Sequence, residues 1–321
     1  MPSEIVRQTR HAAEACAIDA VWTQWSALTT LAAPLDRPPA RSIVDPEALV
    51  LASLLLSPSE RRLEDVLAAW SRAAGFLLSK ARFKRLTGTF PDSAGARLGD
   101  FARYAVEGGE SRWRAWASLK TPGSPAVREK RPGQLRLIEG PSLVLRLRAG
   151  LGVNAKADLF AILLGFRGAP ADLKLVAAAS GYTERMVRTA TKEMVLARLI
   201  HEIEGHPSSF YIDPEPWTDL LGLSHLDTDD PGSPSIPPWR FWSAALGFLC
   251  DVSGWGRTAE EGAWSDYVAG SKARDLFGAH RLRLRQAGIG LRPSDWGSGA
   301  DNLRLLRETV LQVCAWTADS L

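Results

Sequence analysis

Residues 175–190, LVAAASGYTERMVRTA, decide how this 321-residue chain is read. Small apolar residues lead into Gly181. One aromatic and one hydroxyl follow, then a run with cations at helical spacing. The pattern predicts two helices joined by a tight turn. Gly181 suits the turn because glycine adopts positive φ without steric cost. Thr183 stands where a helix N-cap belongs. With Gly181 as the ninth position of a helix-turn-helix, the fifth is Ala177, where the crossing of the second helix demands a small side chain. Val176, Val187 and Ala190 fall at positions that must be apolar. Ser180, at the eighth, departs from the apolar residue expected there.

The flanks extend the pattern. Residues 154–166, NAKADLFAILLGF, read as a helix capped by Asn154, and Arg167-Gly168-Ala169-Pro170 as a turn. Helices are predicted over 171–179 and 183–199. Residues 199–214, LIHEIEGHPSSFYIDP, alternate apolar and polar on both sides of Gly205-His206-Pro207, as a β-hairpin does. On these features, residues 141–213 resemble the winged helix-turn-helix families of bacterial transcription regulators, such as the multiple-antibiotic-resistance and arsenical-resistance regulators. The resemblance covers under a quarter of the chain.

That resemblance implies a role for each outward residue. The helix starting at Glu184 would lie in the major groove of double-stranded DNA. Its core face takes Val187, Ala190, Thr191 and Met194; its outward face takes Glu184, Arg185, Arg188, Thr189 and Lys192. Arginine bonds a guanine edge bidentately, threonine meets a thymine methyl or a phosphate, and glutamate accepts from cytosine. Thr183 and the helix N-terminus suit a phosphate. The wing tip offers only His206 and serines, beside Glu202 and Glu204, so a strong wing contact is not expected. The family also implies a homodimer. A winged helix used for protein contact is the competing reading, and the Arg185, Arg188 and Lys192 cluster favours DNA.

Composition sets outer limits. Hydrophobic content of 45% permits a sizeable core. A net charge of +3 is too mild to argue nucleic-acid binding by itself, so such a claim must be local. Cys16, Cys250 and Cys314 are far apart and odd in number, which argues against a disulfide framework. The longest apolar runs, at 48–56 and 160–166, fall short of the ~20 residues that span a bilayer. No signal-peptide pattern opens the chain. These features lead us to expect a soluble cytoplasmic protein without membrane contact.

The expected fold is mostly α: an N-terminal helical domain over 1–125, a winged helix-turn-helix over 141–214 with a small β-hairpin wing, and a C-terminal helical domain over 236–321. Pro-rich stretches at 34–46 and 226–238, and a loosened stretch near 123–140, mark the joints. Asp45-Pro46-Glu47 opens a helix to Leu56, since Asp caps, Pro suits the first turn and Glu favours the positive end. In the C-terminal part, helices are predicted over 239–252, 258–277, 280–288 and 302–318.

Three basic stretches stay open to two readings. Residues 78–86, LSKARFKRL, place Lys80, Lys84 and Arg85 along a helix with Phe83 inside, as a phosphate-contacting or simply solvated face. Residues 111–120, SRWRAWASLK, interleave Trp113 and Trp116 with cations, which suits single-stranded nucleic acid or plain packing anchors. Residues 271–285 carry Lys272, Arg274, Arg281, Arg283 and Arg285, for DNA backbone, an acidic partner or solvent. Phosphate-loop, dinucleotide and nucleophile-elbow patterns are absent, and His201 and His206 lack further ligands at metal-site spacing. No enzymatic activity, cofactor or metal is therefore expected. The alternative of a different class is an antitoxin-like or defence-system accessory protein, whose winged helix and helical domains bind a protein partner.

Overall fold

The computed structural model describes residues 3–30, 40–118, 134–223, 236–291, 297 and 299–320. Residues 34–39, 123–133 and 226–235, parts of all three expected joints, lie outside the described residues, as does Trp296. Helices dominate, and the described strands form one three-stranded sheet.

Helix α1 (Glu4–Leu28) buries a stripe of alanine, valine and tryptophan. Helix α2 (Pro46–Leu56) is capped by Asp45, whose Oδ1 accepts from the Ala48 N–H at 3.3 Å. It is apolar on nearly every side and almost wholly buried, as a central helix must be. Around it pack α3 (Arg62–Ala74), the short α4 (Lys80–Leu86), α5 (Asp92–Glu107) and α6 (Arg114–Ala117). Trp25 meets Trp70 edge-to-face at 5.2 Å and donates its indole N–H to Ser53 Oγ at 2.9 Å. A buried indole thereby keeps both its apolar contact and its hydrogen bond.

The first and last helical segments, expected as separate domains, share that core. Trp242, Phe248, Leu306 and Val313 belong to the same buried cluster as Val6, Trp25 and Leu51. Helix α1 supplies the shared wall, and no local pattern in a sequence announces so distant a partner. Among the described residues, the last segment holds three helices where four were expected. After α7 to α11, described next, α12 (Trp242–Glu261) runs past 252, and α13 (Asp266–Gln286) runs unbroken through Gly278 and Ala279. The true break is at Gly262-Ala263-Trp264, where Ser265 caps α13 by accepting from Val268 N–H at 3.4 Å. Helix α14 spans Ala300–Ser320.

The middle of the chain has its own core. It holds α7 (Leu143–Leu151), α8 (Ala155–Gly165), β1 (Ala171–Asp172), α9 (Leu173–Ser180), α10 (Glu184–Leu196), β2 (His201–Ile203), β3 (Ser209–Tyr211) and α11 (Glu215–Leu220). The expected hairpin forms, with Glu202 paired to Phe210. Strand β1 was not expected. It pairs antiparallel with β3, giving the order β1-β3-β2, and it delays the start of α9 to Leu173. Two residues are too few for a periodicity. Asp172 was read inside that helix; it is its cap, accepting from Leu175 N–H at 2.7 Å.

The core of this unit recruits Ile43, Ile236 and Trp239 from outside 141–214. Trp239 N–H donates to the Gly165 carbonyl at 2.9 Å, and a Cβ on Gly165 would sit 2.7 Å from that same nitrogen. Glycine is required there by close approach. Among the described residues, no helix is long and apolar enough to cross a membrane.

Candidate nucleic-acid interface

The turn between α9 and α10 has the backbone its residues imply. Gly181 sits at φ 71°, in the left-handed region. Thr183 caps α10, its Oγ1 accepting from Met186 N–H at 3.3 Å. Val187, Ala190, Thr191 and Met194 are buried. Thr183, Glu184, Arg185, Arg188, Thr189 and Lys192 are all exposed. The helix therefore turns a wholly buried face inward and presents polar side chains outward. Thr189 Oγ1 donates to the Arg185 carbonyl at 3.1 Å, so its hydroxyl proton is already engaged. Glu193, on the same side as α8, pairs with Lys156 at 2.6 Å. His206 is exposed in the connection between β2 and β3, as are Glu204 and Pro207. His201 stacks on Tyr211 at 5.0 Å. Among the described residues, no group of three or more His, Cys, Asp or Glu side chains is placed to hold a metal ion; the Asp227, Asp229 and Asp230 run lies outside them.

Ser180, the departure in the motif, has a structural reason. It is fully buried; its Oγ accepts from Tyr182 N–H at 3.2 Å, and its carbonyl accepts from Arg82 Nε at 2.9 Å. Arg82 belongs to a buried ionic network that sequence reading missed. It donates to Asp45 Oδ2 at 2.7 Å and to Glu47 Oε2 at 2.6 Å. Arg148, from α7, donates to Glu47 Oε1 at 2.6 Å, to both oxygens of Asp158 at 2.6 and 3.0 Å, and to the Leu77 carbonyl at 2.9 Å. Tyr182 closes the set by donating to Asp158 Oδ2 at 2.7 Å. These residues come from α2, α4, α7, α8 and the turn itself, so the network bolts the α9–α10 pair to the helical body.

Its electrostatics follow from burial. Desolvation opposes the charge on Arg82, yet Asp45 and Glu47 outweigh it and raise its pKa. Arg148 is raised in the same way against its own burial, by Asp158 and Glu47. Burial raises the Asp45 carboxyl, Arg82 opposes that, and Glu47 adds to it. Burial also raises the Tyr182 phenol, and the Asp158 charge adds to the shift.

A test follows. Tyr182→Phe removes a hydrogen bond to a charged acceptor and should cost about 1–3 kcal/mol near neutral pH. A phenol raised in the native state keeps its proton while the unfolded chain ionises near pH 10. Stability due to Tyr182 is present below that value and is lost as pH rises toward the higher native one. The deficit of the variant should therefore stay constant up to about pH 9 and shrink as pH rises above about 10 in urea unfolding. A constant deficit would contradict the assignment. Tyr104, pushed up to about 12, is common to both proteins.

The three basic stretches separate. In residues 78–86, Phe83 is buried as expected, Arg82 is consumed by the network, and Lys80 donates to the Arg112 carbonyl at 2.9 Å. Lys84 and Arg85 stay exposed. In residues 111–120, Trp113 is fully buried and donates to the Gly75 carbonyl at 3.1 Å, so it is a packing anchor; Lys120 lies outside the described residues. On α13, Lys272, Arg274, Arg281 and Arg285 are exposed, and Arg283 is half-buried with Nη2 donating to the Gly88 carbonyl at 3.1 Å.

A cleft of about 520 Å3 lies where α4 and α13 face the turn. Arg85, Thr89, Glu184, Ser243, Arg283 and Gln286 supply its polar lining. No protein-family model matches the chain, and neither a curated protein nor a solved structure matches it.

Proposed function

We propose that this protein binds double-stranded DNA as a transcriptional regulator, with α10 in the major groove. The observation that carries the reading is the division of α10: a capped helix whose outward Glu184, Arg185, Arg188, Thr189 and Lys192 are free of the core while its other face is buried. The three helices and the β1-β3-β2 sheet around it support the winged-helix resemblance. Arg185 and Arg188 read guanine edges, Glu184 accepts from cytosine, and Thr189 offers its methyl to thymine. Thr183 and Lys192 hold phosphate, and His206 makes the weaker wing contact. A homodimer places two such helices on paired half-sites in the cytoplasm.

Arg185→Ala or Arg188→Ala should each weaken binding to a selected site by about 1–3 kcal/mol and relax base preference at one position. Titration of matched and single-mismatch duplexes measures both. Unchanged affinity and selectivity in either variant would overturn the assignment of that residue.

A second reading is a protein-binding module of the antitoxin or defence-accessory kind. One observation favours it: Leu196 is 85% exposed, Leu199 39% and Ile203 45%, beside β2, which has only one hydrogen-bonded neighbour in the sheet. Exposed apolar side chains along an edge strand suit strand or helix docking. Retention of one purified partner by the parent, and its loss in Leu196→Glu, would favour it over DNA.

A further inference from the structure

We propose that the cleft between α4, α13 and the turn grips backbone phosphates of the same DNA duplex, so that the helical body supplies a second, sequence-independent contact. The inference rests on the reading of α10 as the DNA-entering helix.

Two basic stretches about two hundred residues apart in the chain meet at this place. Arg85 lies at the end of α4, with Nη2 3.7 Å from Met186 Sδ on α10. A thioether is a weak acceptor, so this guanidinium retains nearly all of its donor capacity. Arg283 comes from α13, and its contact with the Gly88 carbonyl leaves further donors open. The carboxylate in the cleft is Glu184, in the first turn of α10, where the positive helix end offsets its charge.

The distance from these cations to α10 is fixed. Gly181 abuts Leu86, whose Cδ2 would lie 3.2 Å from a Cβ at that position. Arg82, on the same short helix as Arg85, is bound to the Ser180 carbonyl and locked among buried carboxylates. A duplex that admits the N-terminal half of α10 must pass this shelf. Two arginines there meet the polyanionic backbone, whereas a neutral shelf would desolvate phosphates without compensation. The guanidinium fork matches phosphate oxygens, and nothing in the cleft requires a particular base.

The test is the salt dependence of affinity on a selected duplex and on an unrelated duplex, measured by anisotropy from roughly 50 to 200 mM salt. Arg85→Gln and Arg283→Gln should each reduce the slope of log affinity against log salt by about 0.9, and the double variant by about twice that. The loss should be equal on both duplexes, since phosphates carry no sequence. Arg274→Gln, about two and a half turns from Arg283 and so on the opposite face of α13, is the control and should leave the slope unchanged. Arg85 is exposed, and Arg283 is half-buried with its Gly88 hydrogen bond at the surface, so unfolding midpoints should stay close to that of the parent. An unchanged slope in the double variant, with parental binding intact, overturns this inference and leaves the reading of α10 standing. A loss confined to the selected duplex also overturns it. A parent that binds neither duplex overturns both.

Discussion

Replacing Arg148 by methionine is expected to cost about 3–5 kcal/mol of stability, although no exposed atom changes. Arg148 is fully buried and holds Glu47 and Asp158, both also buried. Methionine fills similar volume but leaves three buried carboxylates facing one guanidinium. Transfer of a charge from water costs several kcal/mol unless a partner compensates, and the cation removed here serves two carboxylates. The network also joins the two cores, so its failure should loosen the middle unit first. Urea unfolding followed by far-ultraviolet circular dichroism and by tryptophan fluorescence should give coincident transitions in the parent and separate ones in Arg148→Met. A loss under about 1 kcal/mol would mean that the network is solvated in the native protein.

Trp113→Ala is the second large effect, about 3–5 kcal/mol. The indole packs against Phe101 at 5.1 Å, Trp116 at 5.4 Å and Phe83 at 5.8 Å, near the edge-to-face arrangement in two of these contacts and close to it in the third. Removing it opens a cavity and takes away one hydrogen bond to the Gly75 carbonyl, which keeps Arg112 Nη2 at 2.8 Å. The same residue stood in a stretch suited to stacking on single strands, and stacking needs an exposed ring face. The variant, assayed under conditions where it remains folded, should bind single-stranded DNA no more weakly than the parent. Unchanged stability together with weakened single-strand binding would reverse the assignment.

What the sequence made legible was local. The buried and exposed faces of α10 follow from a 3.6-residue period, and the caps Asp45, Asn154 and Thr183 from residue type and position. The β-hairpin followed from alternation. What escaped reading was long-range or too short. Strand β1 has two residues and exists because β3 offers an edge. Glu47 looked like a favourable charge at a helix start, yet it is the hub for two arginines. Arg82 stood as one more cation in a basic run, and Arg148 lies in a short apolar and basic segment, residues 145–148, LRLR. Neither helix by itself indicates burial of its arginine, because the partners come from other elements. The shared core of α1, α12 and α14 escaped for the same reason. Near Gly278 the helix continues because Phe277, His280 and Leu284 face the core and sustain it; a single glycine costs about 1 kcal/mol, which such burial exceeds.

The central claim is base readout by α10. Its most direct test is selection from a random-sequence duplex pool at two salt concentrations, run in parallel with the parent protein and Arg188→Ala. The account predicts one enriched motif for the parent that survives the higher salt, and a motif lost or relaxed at one position for the variant. No enrichment by the parent, or weak binding that vanishes with salt and is the same in both proteins, would contradict it and leave residues 175–190 as a packing unit.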